Sequence, residues 1–279
     1  MTQIIGSLVA LRLVVAAWHR SGQRVALVPT MGALHAGHLS LVAAAKAAAD
    51  RVIVSIFVNP KQFNNPGDLA KYPRTEQADA LLLEPLSVDL IFLPDAAEMY
   101  PDGFATTVTV SGISAGLDGA FRPGHFQGVA TVVCKLFTMT SADCAFFGEK
   151  DYQQLLVVRR MARDLNLAIQ VIGCPTLRDS DGLAMSSRNT RLGGQARSKA
   201  GALYAAMAGA VAAMRGGTTV DVAVDQARQR VLAAGFASVD YLALCSAETL
   251  EPMAHLQHPA RLLAAAWLDG VRLIDNIAV

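Results

Sequence analysis

The chain has 279 residues, of which 53% are hydrophobic and 17% are charged, so it can bury a large core and is not expected to be disordered. Its 24 lysine and arginine residues against 23 aspartate and glutamate residues give a net charge of +1, which argues against a general polyanion-binding surface. We therefore expect no nucleic-acid partner, and any phosphate chemistry has to occur at a local site.

The amino-terminal segment is apolar, but Arg12 interrupts it and no small-residue cleavage site follows. The uncharged run over residues 200–214 is shorter than the roughly 20 residues that a membrane-spanning helix needs. The cysteines form no CxxC pair and lie in apolar stretches, at Cys134, Cys144, Cys174 and Cys245. That pattern is typical of buried free thiols in a reducing compartment. We expect a cytoplasmic, soluble protein with no membrane partner.

Short apolar runs predict strands that are buried on both faces of a parallel sheet, at residues 24–30, 51–59, 88–94, 144–148 and 168–175. Helices are predicted between them, at residues 39–50, 75–86, 128–139 and 151–165. This alternation indicates the α/β class, with a Rossmann-like doubly wound parallel sheet domain over residues 1–175. In such a sheet the loops that follow the strands share one edge, where ligands bind.

The sequence changes character after Pro175, because residues 176–194 are polar and lack periodicity. Two alanine-rich helices, a strand and a hairpin are predicted next, at residues 195–215, 218–234, 239–246 and 261–279. The hairpin is expected to turn at Asp269-Gly270. This part predicts a smaller α+β C-terminal domain over residues 176–279, which we expect to act as a lid.

The stretch VPTMGALHAGHLSL holds two histidines where the first strand of the predicted sheet passes into a helix. Gly32 and Gly37 remove Cβ atoms where a ligand must approach closely, and the helix start is expected to offer unpaired amides to a phosphate. His35 and His38 share one face of the first helical turn, where imidazoles can donate hydrogen bonds to phosphate oxygens during phosphoryl or nucleotidyl transfer. The alternative is a helix-capping turn with incidental histidines. The chain contains no Walker loop and no GxGxxG fingerprint, and HxxH lacks the third ligand of a zinc site.

Two further segments suit a small polar substrate. VNPKQF follows the strand at 51–59, and the amide of Gln62 can bind hydroxyl or carboxylate groups, although an Asn/Pro turn explains the composition equally well. In FRPGHFQGV, Arg122 and His125 flank a Pro-Gly turn. The arginine can hold a carboxylate or phosphate, or both residues can be ordinary surface residues of a turn. Their roles stay open.

Two more segments suit a polyphosphate. In FFGEKDYQQL, Lys150 follows a strand at the sheet edge and can reach a triphosphate, whereas Asp151 can cap the next helix. The stretch MSSR at residues 185–188 offers two hydroxyls and a guanidinium in a flexible loop, which suits a lid over phosphate oxygens. A solvated linker is the alternative for any one of these residues.

The pairing of HxGH after the first strand with a serine-rich MSSR loop resembles the HIGH and KMSKS pair of nucleotidyltransferase-type folds, which class I aminoacyl-tRNA synthetases share. The whole ordered set is more similar to the pantothenate synthetase family: VPTMGALHAGH, VNPKQF, YPRT, FRPGHFQGV, FGEKDYQQ and DGLAMSSRN. The similarity by motif covers about residues 24–194, and the C-terminal domain with its hairpin also fits. Six ordered motifs are far more specific than HxGH alone.

The resemblance implies a ligase of vitamin B5 and coenzyme A biosynthesis. In its first step the carboxylate of pantoate attacks the α-phosphate of ATP, giving pantoyl adenylate and pyrophosphate. In its second step the amine of β-alanine attacks the activated carbonyl, giving pantothenate and AMP. Mg²⁺ is expected to arrive with ATP, held mostly by phosphate oxygens, and no protein ligand is assigned to it. The resemblance also implies a homodimer.

The resemblance carries site roles over by motif. His38, His35 and Lys150 are the implied catalytic residues. Nucleotide contacts are implied at Met31, Gly32, Ala33, Leu34, His35, Ala36, Gly37, His38, Gly148, Glu149, Lys150, Asp151, Leu177, Met185, Ser186, Ser187 and Arg188. Gln62 is implied to contact both pantoate and β-alanine, and Gln154 to contact pantoate.

Two rival functions share the same fold. One is a nucleotidyltransferase that acts on a different small acceptor and retains AMP in its product. The other is a nucleotide-binding sensor, which would hold phosphates without transferring them. The first rival is distinguished by its acceptor, and the second by the absence of AMP release.

Overall fold

A computed structural model describes residues 2–279, so Met1, the first residue of the predicted first domain, lies outside the described residues. The strands of the described chain are β1 (Gln3–Ile5), β2 (Val25–Thr30), β3 (Arg51–Ile56), β4 (Leu90–Phe92), β5 (Cys144–Gly148), β6 (Gln170–Cys174), β7 (Ser238–Ser246), β8 (Ala260–Leu268) and β9 (Val271–Ala278). The α-helices are α1 (Leu8–Arg20), α2 (Ala36–Ala48), α3 (Pro66–Ala70), α4 (Glu76–Leu83), α5 (Ala96–Met99), α6 (Asp118–Phe121), α7 (His125–Thr140), α8 (Tyr152–Asp164), α9 (Gly194–Ala200), α10 (Ala202–Arg215) and α11 (Val220–Ala233). Short 3₁₀ helices lie at Pro60–Gln62, Glu84–Leu86, Glu149–Asp151 and Ser187–Arg191.

The described chain divides into two compact units. One unit runs up to Glu149 and resumes at Gln154–Pro175, and the other comprises Lys150–Gln153 and Thr176–Val279. The short segment Lys150–Gln153 therefore groups with the C-terminal unit, although it lies within the first domain predicted from the sequence.

The first unit is built on a parallel sheet with the strand order β1-β4-β3-β2-β5-β6. Its central strands β2, β3 and β5 are mostly apolar and are buried on both faces, because helices cover both sides of the sheet. Ala26 and Val28 of β2 pack with Leu41 and Val42 of α2 in one cluster. The alternate residue Leu27 is equally buried and lies outside that cluster, on the side where α1 and α7 contact β2. The predicted doubly wound architecture is confirmed.

The second unit has an antiparallel sheet in the order β7-β8-β9. The helices α10 and α11 pack with it in one apolar cluster that includes Met207, Val231 and Leu262. The last two strands are joined at Asp269 and Gly270, whose φ angles are +51° and +70°. Two successive positive φ angles are what a tight two-residue hairpin turn requires, so the predicted hairpin is confirmed.

The sequence did not predict the first two elements, β1 and α1. β1 is a three-residue strand at the edge of the parallel sheet, paired with β4. Helix α1 buries Leu11 and Val15 but exposes Val9 and Leu13, so its apolar residues do not separate one face from the other. The amino-terminal segment therefore showed an apolar run without the periodicity that indicates a surface helix.

Candidate functional site

The loops after β2 and β5 lie at the point of the parallel sheet where the strand order reverses. The chain leaves β2 for β3 on one side, and β5 later adds to the other side of β2. In open α/β sheets, ligands bind in the crevice outside the carboxyl ends of the strands at such a point. The HxGH turn follows β2, and Gly148 and Glu149 end β5 and begin the next loop, so the first unit brings these predicted residues to one edge.

The two histidines of the turn cap helix α2. Nδ1 of His35 accepts a hydrogen bond from the Gly37 amide at 3.1 Å, and Nδ1 of His38 accepts one from the His35 amide at 3.3 Å. The rings lie 4.1 Å apart between centroids. The helix start therefore does not offer these two amides unpaired, and the expectation that it would is wrong at both positions. The histidine side chains themselves accept these two amides.

This capping has a chemical consequence. A nitrogen that accepts a hydrogen bond carries no proton, so the proton of each ring lies on Nε2. Each imidazole is thereby fixed as a donor through Nε2, which is the nitrogen that does not cap the helix. The capping interpretation and the phosphate-donor interpretation of His35 and His38 are thus compatible, because each uses a different ring nitrogen.

A carboxylate that we did not predict from the sequence accepts backbone amides of the turn. Asp79 of α4 is only 1% exposed, and its two oxygens accept the amides of Ala33 and Leu34 at 3.0 and 2.8 Å. Thr75 completes the arrangement, since its hydroxyl accepts the Ala33 amide at 3.2 Å and donates to Asp79 at 3.1 Å. We call Thr75 and Asp79 the turn clamp. Asp79 lies four residues before the buried Leu83 on the same face of α4, but the sequence gives no sign of the partners of this carboxylate.

The clamp also explains one glycine of the turn. Gly32 has φ +79°, and a Cβ built on it would lie 2.9 Å from Oδ2 of Asp79 and 3.2 Å from Cγ2 of Ile56. A side chain at this position would therefore strain the backbone and collide with the clamp. The close approach of a ligand, for which the sequence suggested this glycine, stays a prediction.

Gln62 lies at the end of the 3₁₀ helix Pro60–Gln62 and is 9% exposed. Its side-chain oxygen accepts a hydrogen bond at 2.9 Å from Nδ2 of Asn59, which also donates to the Gly128 carbonyl at 3.1 Å. The Asn59 oxygen accepts the Tyr100 hydroxyl at 2.7 Å, and burial raises the pKa of that phenol, so it stays a donor. Because its oxygen is engaged, the Gln62 amide can offer N–H donors to a substrate.

Arg122 and His125, whose roles the sequence left open, contact each other beside Gln62. Nη1 of Arg122 lies 3.1 Å from Nε2 of His125, and Nδ1 of His125 lies 2.8 Å from the backbone oxygen of Gln62. A guanidinium only donates, so Nε2 accepts and Nδ1 donates to Gln62. Helix α7 begins at His125, three residues before the predicted start, and this extra turn brings the imidazole to Gln62.

The segment after β5 is divided between the two units. Gly148, Glu149 and Gln154 belong to the first unit, whereas Lys150 and Asp151 belong to the second. Nζ of Lys150 lies 3.8 Å from a carboxylate oxygen of Asp151, which immediately precedes α8. Of the two neighbouring glutamines, Gln153 is buried and Gln154 is half-buried.

In the second unit the predicted lid loop begins as a tight hairpin. The Met185 amide donates to the Leu177 carbonyl at 3.0 Å, so these two predicted nucleotide contacts are paired with each other, and the Leu177 side chain is exposed. Ser186 then caps the 3₁₀ helix Ser187–Arg191, because its hydroxyl oxygen accepts the Arg188 amide at 3.2 Å. The MSSR stretch is therefore a capped turn and not an extended linker.

The thiols carry no sign of nucleophilic activation. Burial raises the pKa of Cys134, Cys144 and Cys174, and it raises the pKa of Cys245 to about 11. A thiol that is neutral at physiological pH is a poor nucleophile. Within residues 2–279, no three His, Cys, Asp or Glu side chains cluster in a way that could hold a metal ion. The same residues contain no helix that is both long and apolar enough to cross a membrane.

Comparison with known proteins covers the whole chain. A family profile described as pantoate-beta-alanine ligase matches residues 3–278. The pantothenate synthetase of Cereibacter sphaeroides is 60% identical over 279 residues, which is 100% of both chains, and that of Ruegeria pomeroyi is 57% identical over 276 residues, which is 99% of this chain and 97% of the relative.

Solved structures agree with these relatives. The pantothenate synthetase of Thermus thermophilus has a TM-score of 0.94 and 45% identity, covering 99% of each chain. The pantoate-beta-alanine ligase of Francisella tularensis, described as complexed with beta-gamma ATP and beta-alanine, has a TM-score of 0.84 and 34% identity, covering 100% of this chain and 98% of that one.

Proposed function

The chain belongs to the pantoate-β-alanine ligase family, and we propose that it joins pantoate to β-alanine at the expense of ATP through a pantoyl adenylate. In the first step a carboxylate oxygen of pantoate forms a bond to the α-phosphorus of ATP, and the bond from that phosphorus to the bridging oxygen of the leaving pyrophosphate breaks. In the second step the amine of β-alanine attacks the acyl carbon, loses a proton, and expels AMP. The substrate supplies both nucleophiles, which agrees with the unactivated cysteines.

We propose that His38 and His35 donate hydrogen bonds to the phosphates of ATP. This role is supported by the capping of α2, which fixes both Nε2 atoms as donors at the positive end of a helix. Nucleotide contacts in the first unit are proposed for the turn residues Met31, Gly32, Ala33, Leu34, His35, Ala36, Gly37 and His38, and for Gly148 and Glu149. Donors that are fixed before the substrate arrives stabilise developing charge without reorganisation.

The proposed substrate contacts are Gln62 for both pantoate and β-alanine, and Gln154 for pantoate. For Gln62 the proposal is supported by Asn59, which engages the side-chain oxygen and leaves N–H groups for hydroxyl or carboxylate acceptors. Nδ1 of His125 also donates to the backbone oxygen of Gln62, which holds the main chain of the same residue.

In the second unit we propose Lys150 as a catalytic residue, and we propose nucleotide contacts at Lys150, Asp151, Leu177, Met185, Ser186, Ser187 and Arg188. A lysine, two hydroxyls and a guanidinium are groups that neutralise charge on transferring phosphates. The lid role of the C-terminal domain over residues 176–279 belongs to the same proposal. Exclusion of water would protect the acyl adenylate from hydrolysis.

Three further parts of the proposal concern the surroundings of the reaction. Mg²⁺ is proposed to enter as MgATP; the described residues do not form a metal cluster, so no step is derived through a protein-bound ion. A homodimer is proposed, supported by large apolar side chains that the first unit exposes, including Ile4, Val9 and Leu13. A cytoplasmic location is proposed from the free thiols.

The observation that carries the proposal is the HxGH turn at the reversal point of the sheet, with both Nε2 protons fixed by capping. The test is exchange of labelled pyrophosphate into ATP in the absence of β-alanine. We expect exchange that depends on pantoate. Exchange with other acceptors but not with pantoate would instead favour the nucleotidyltransferase rival, and ATP binding without AMP release in the complete reaction would favour the sensor.

A further inference from the structure

Two neighbouring residues near the end of β9 contact both of the segments that the second unit contributes to the proposed ATP site. These residues are Asp275 and Asn276, which are 5% and 3% exposed. One segment is Lys150–Gln153, and the other is the hairpin that begins at Thr176. All of these contacts lie within the second unit.

Asp275 holds the hairpin through Arg178. Nη1 and Nη2 of Arg178 donate to the two carboxylate oxygens of Asp275 at 2.7 and 2.8 Å, which is a bidentate pair. The same guanidinium donates to the Gly182 carbonyl at 3.0 Å, inside the hairpin, and stacks on Tyr204 with its Cζ 4.1 Å from the ring centroid. Arg178 follows Leu177, one of the proposed nucleotide contacts, so the ion pair fixes the start of the loop.

Asn276 holds the other segment. Its side-chain nitrogen donates to the backbone carbonyl of Lys150 at 2.9 Å, and its side-chain oxygen accepts from Nη1 of Arg261. The position therefore needs a donor and an acceptor on one short side chain, which asparagine supplies and aspartate does not. Arg261 also stacks on Tyr152, two residues after Lys150, with its Cζ 3.7 Å from the ring centroid.

We propose that Asp275 and Asn276 are positioning residues that hold Lys150 and the loop containing Met185–Arg188 in one fixed arrangement and thereby set the affinity for ATP. The inference rests on the proposed function, because that function gives Lys150 and the loop their phosphate contacts. Neither residue is proposed to touch a substrate. The Asp275–Asn276 pair acts by preventing Lys150 and the loop from moving independently of each other.

The chain offers a matched control in the same sheet. Asp240 of β7 accepts Nε of Arg272 of β9 at 2.7 Å and Nε1 of Trp267 at 3.1 Å. This arginine–carboxylate pair joins strand β7 to strand β9, whereas Asp275 and Asn276 bond to the hairpin and to the Lys150 segment. Removing the charge of Asp240 tests how much a purely structural ion pair of this sheet contributes to ATP binding.

The experiment compares wild type with Asn276→Asp, Asp275→Asn and the control Asp240→Asn. Asn276→Asp keeps an oxygen for Arg261 but turns a second oxygen toward the Lys150 carbonyl, so the positioning hydrogen bond is replaced by two facing acceptors. We expect the KM for ATP and the Kd for a non-hydrolysable ATP analogue to rise about tenfold in both test variants, because each loses a hydrogen bond that holds one of the two segments. The KM for β-alanine is expected to stay within about twofold of wild type, and so is every constant of Asp240→Asn.

Two results have separate meanings. If wild type makes no pantothenate and AMP, the proposed function fails and the inference fails with it. If wild type is active but Asn276→Asp and Asp275→Asn match Asp240→Asn in their ATP constants, the function stands and the inference is overturned. Circular dichroism at the assay temperature establishes that all four proteins are folded in the comparison.

Discussion

A histidine that caps a helix through Nδ1 is also a hydrogen-bond donor with a fixed direction at Nε2. His35 and His38 both have this arrangement, and each satisfies an amide of the turn that leads into α2. The proposed catalytic role therefore needs no reorientation of either ring when ATP binds. Preorganised donors of this kind act on the developing charge directly.

Substitutions at His38 can separate capping from donation. His38→Asn keeps a short acceptor for the His35 amide but loses the donor at the position of Nε2, whereas His38→Gln can keep a donor there without the cap. We expect His38→Asn to lower kcat for adenylate formation by about 10²–10³, the usual cost of one lost transition-state donor. We expect His38→Gln to retain more activity and to lose more stability. Pyrophosphate exchange and thermal unfolding measure the two effects; near-normal exchange in His38→Asn would remove Nε2 from the mechanism.

The turn clamp is the second feature at the scale of residues. Asp79 accepts two backbone amides and one hydroxyl, so its carboxylate has a partner on each oxygen in a nearly solvent-free position. Asp79→Asn presents an N–H group to one of the amides and leaves that amide unsatisfied. We expect a loss of about 1–3 kcal/mol in the free energy of unfolding, together with a higher KM for ATP.

Two substitutions of Thr75 test the same clamp without changing its buried carboxylate. Thr75→Ser keeps the hydroxyl that accepts the Ala33 amide and donates to Asp79, and Thr75→Val keeps the shape but not the hydroxyl. Thr75→Val should raise the KM for ATP while Thr75→Ser stays near wild type. Steady-state kinetics on the two variants provide the measurement, and equal ATP constants would contradict a role for the clamp in nucleotide binding.

At the scale of elements, the packing of α7 against the 3₁₀ helix Pro60–Gln62 decides where Gln62 lies. A Cβ on Gly128 of α7 would stand 2.2 Å from the Lys61 carbonyl oxygen and 2.6 Å from the Gln62 amide nitrogen. The helix can approach so closely only because this residue has no side chain. The FRPGHFQGV motif thus supplies two residues that position Gln62: His125, through its imidazole, and Gly128, through its lack of a side chain.

The variant Gly128→Ala tests this packing. We expect the 3₁₀ helix to be displaced, with a loss of stability of about 1–3 kcal/mol from overpacking and a raised KM for pantoate. The KM for ATP should change much less. Gly194→Ala is the control, since a Cβ there meets no atom within 4 Å. A variant Gly128→Ala with wild-type constants for pantoate would show that Gln62 does not depend on this contact.

Elements whose chemistry is local were predictable from the sequence. The mostly apolar strands β2, β3 and β5 follow from burial on two faces, and the hairpin turn at Asp269-Gly270 follows from residues that tolerate positive φ. Features that depend on partners far apart in the sequence could not be predicted. The clamp joins Asp79 to a turn that lies 45 residues earlier at Leu34, and no local pattern indicates that pairing.

The same division holds within the candidate site. The residue types His35, His38, Gln62 and Lys150 were visible as polar groups after apolar strands. The sequence did not show which ring nitrogen each histidine uses for capping, because that depends on backbone geometry at the start of α2. The inclusion of Lys150–Gln153 in the second unit was also hidden, since it arises from contacts with residues more than 90 positions away, such as Asn276 and Ala247.

At the scale of the whole molecule, the two units contribute different parts of the proposed reaction. The first unit contributes the histidines and the glutamines Gln62 and Gln154, and the second contributes Lys150 and the loop of Met185–Arg188. Neither unit alone carries all of the residues that the proposed adenylate formation uses. The step that uses the proposed groups is the transfer of a pantoate oxygen to the nucleotide.

That event is tested most directly with pantoate labelled with ¹⁸O in both carboxylate oxygens, incubated with β-alanine and MgATP. If a carboxylate oxygen attacks the α-phosphorus, that oxygen leaves with the nucleotide in the second step. We expect AMP that carries one ¹⁸O atom and pantothenate that keeps the other in its amide carbonyl. Unlabelled AMP, or label found in inorganic phosphate beside ADP, would contradict it.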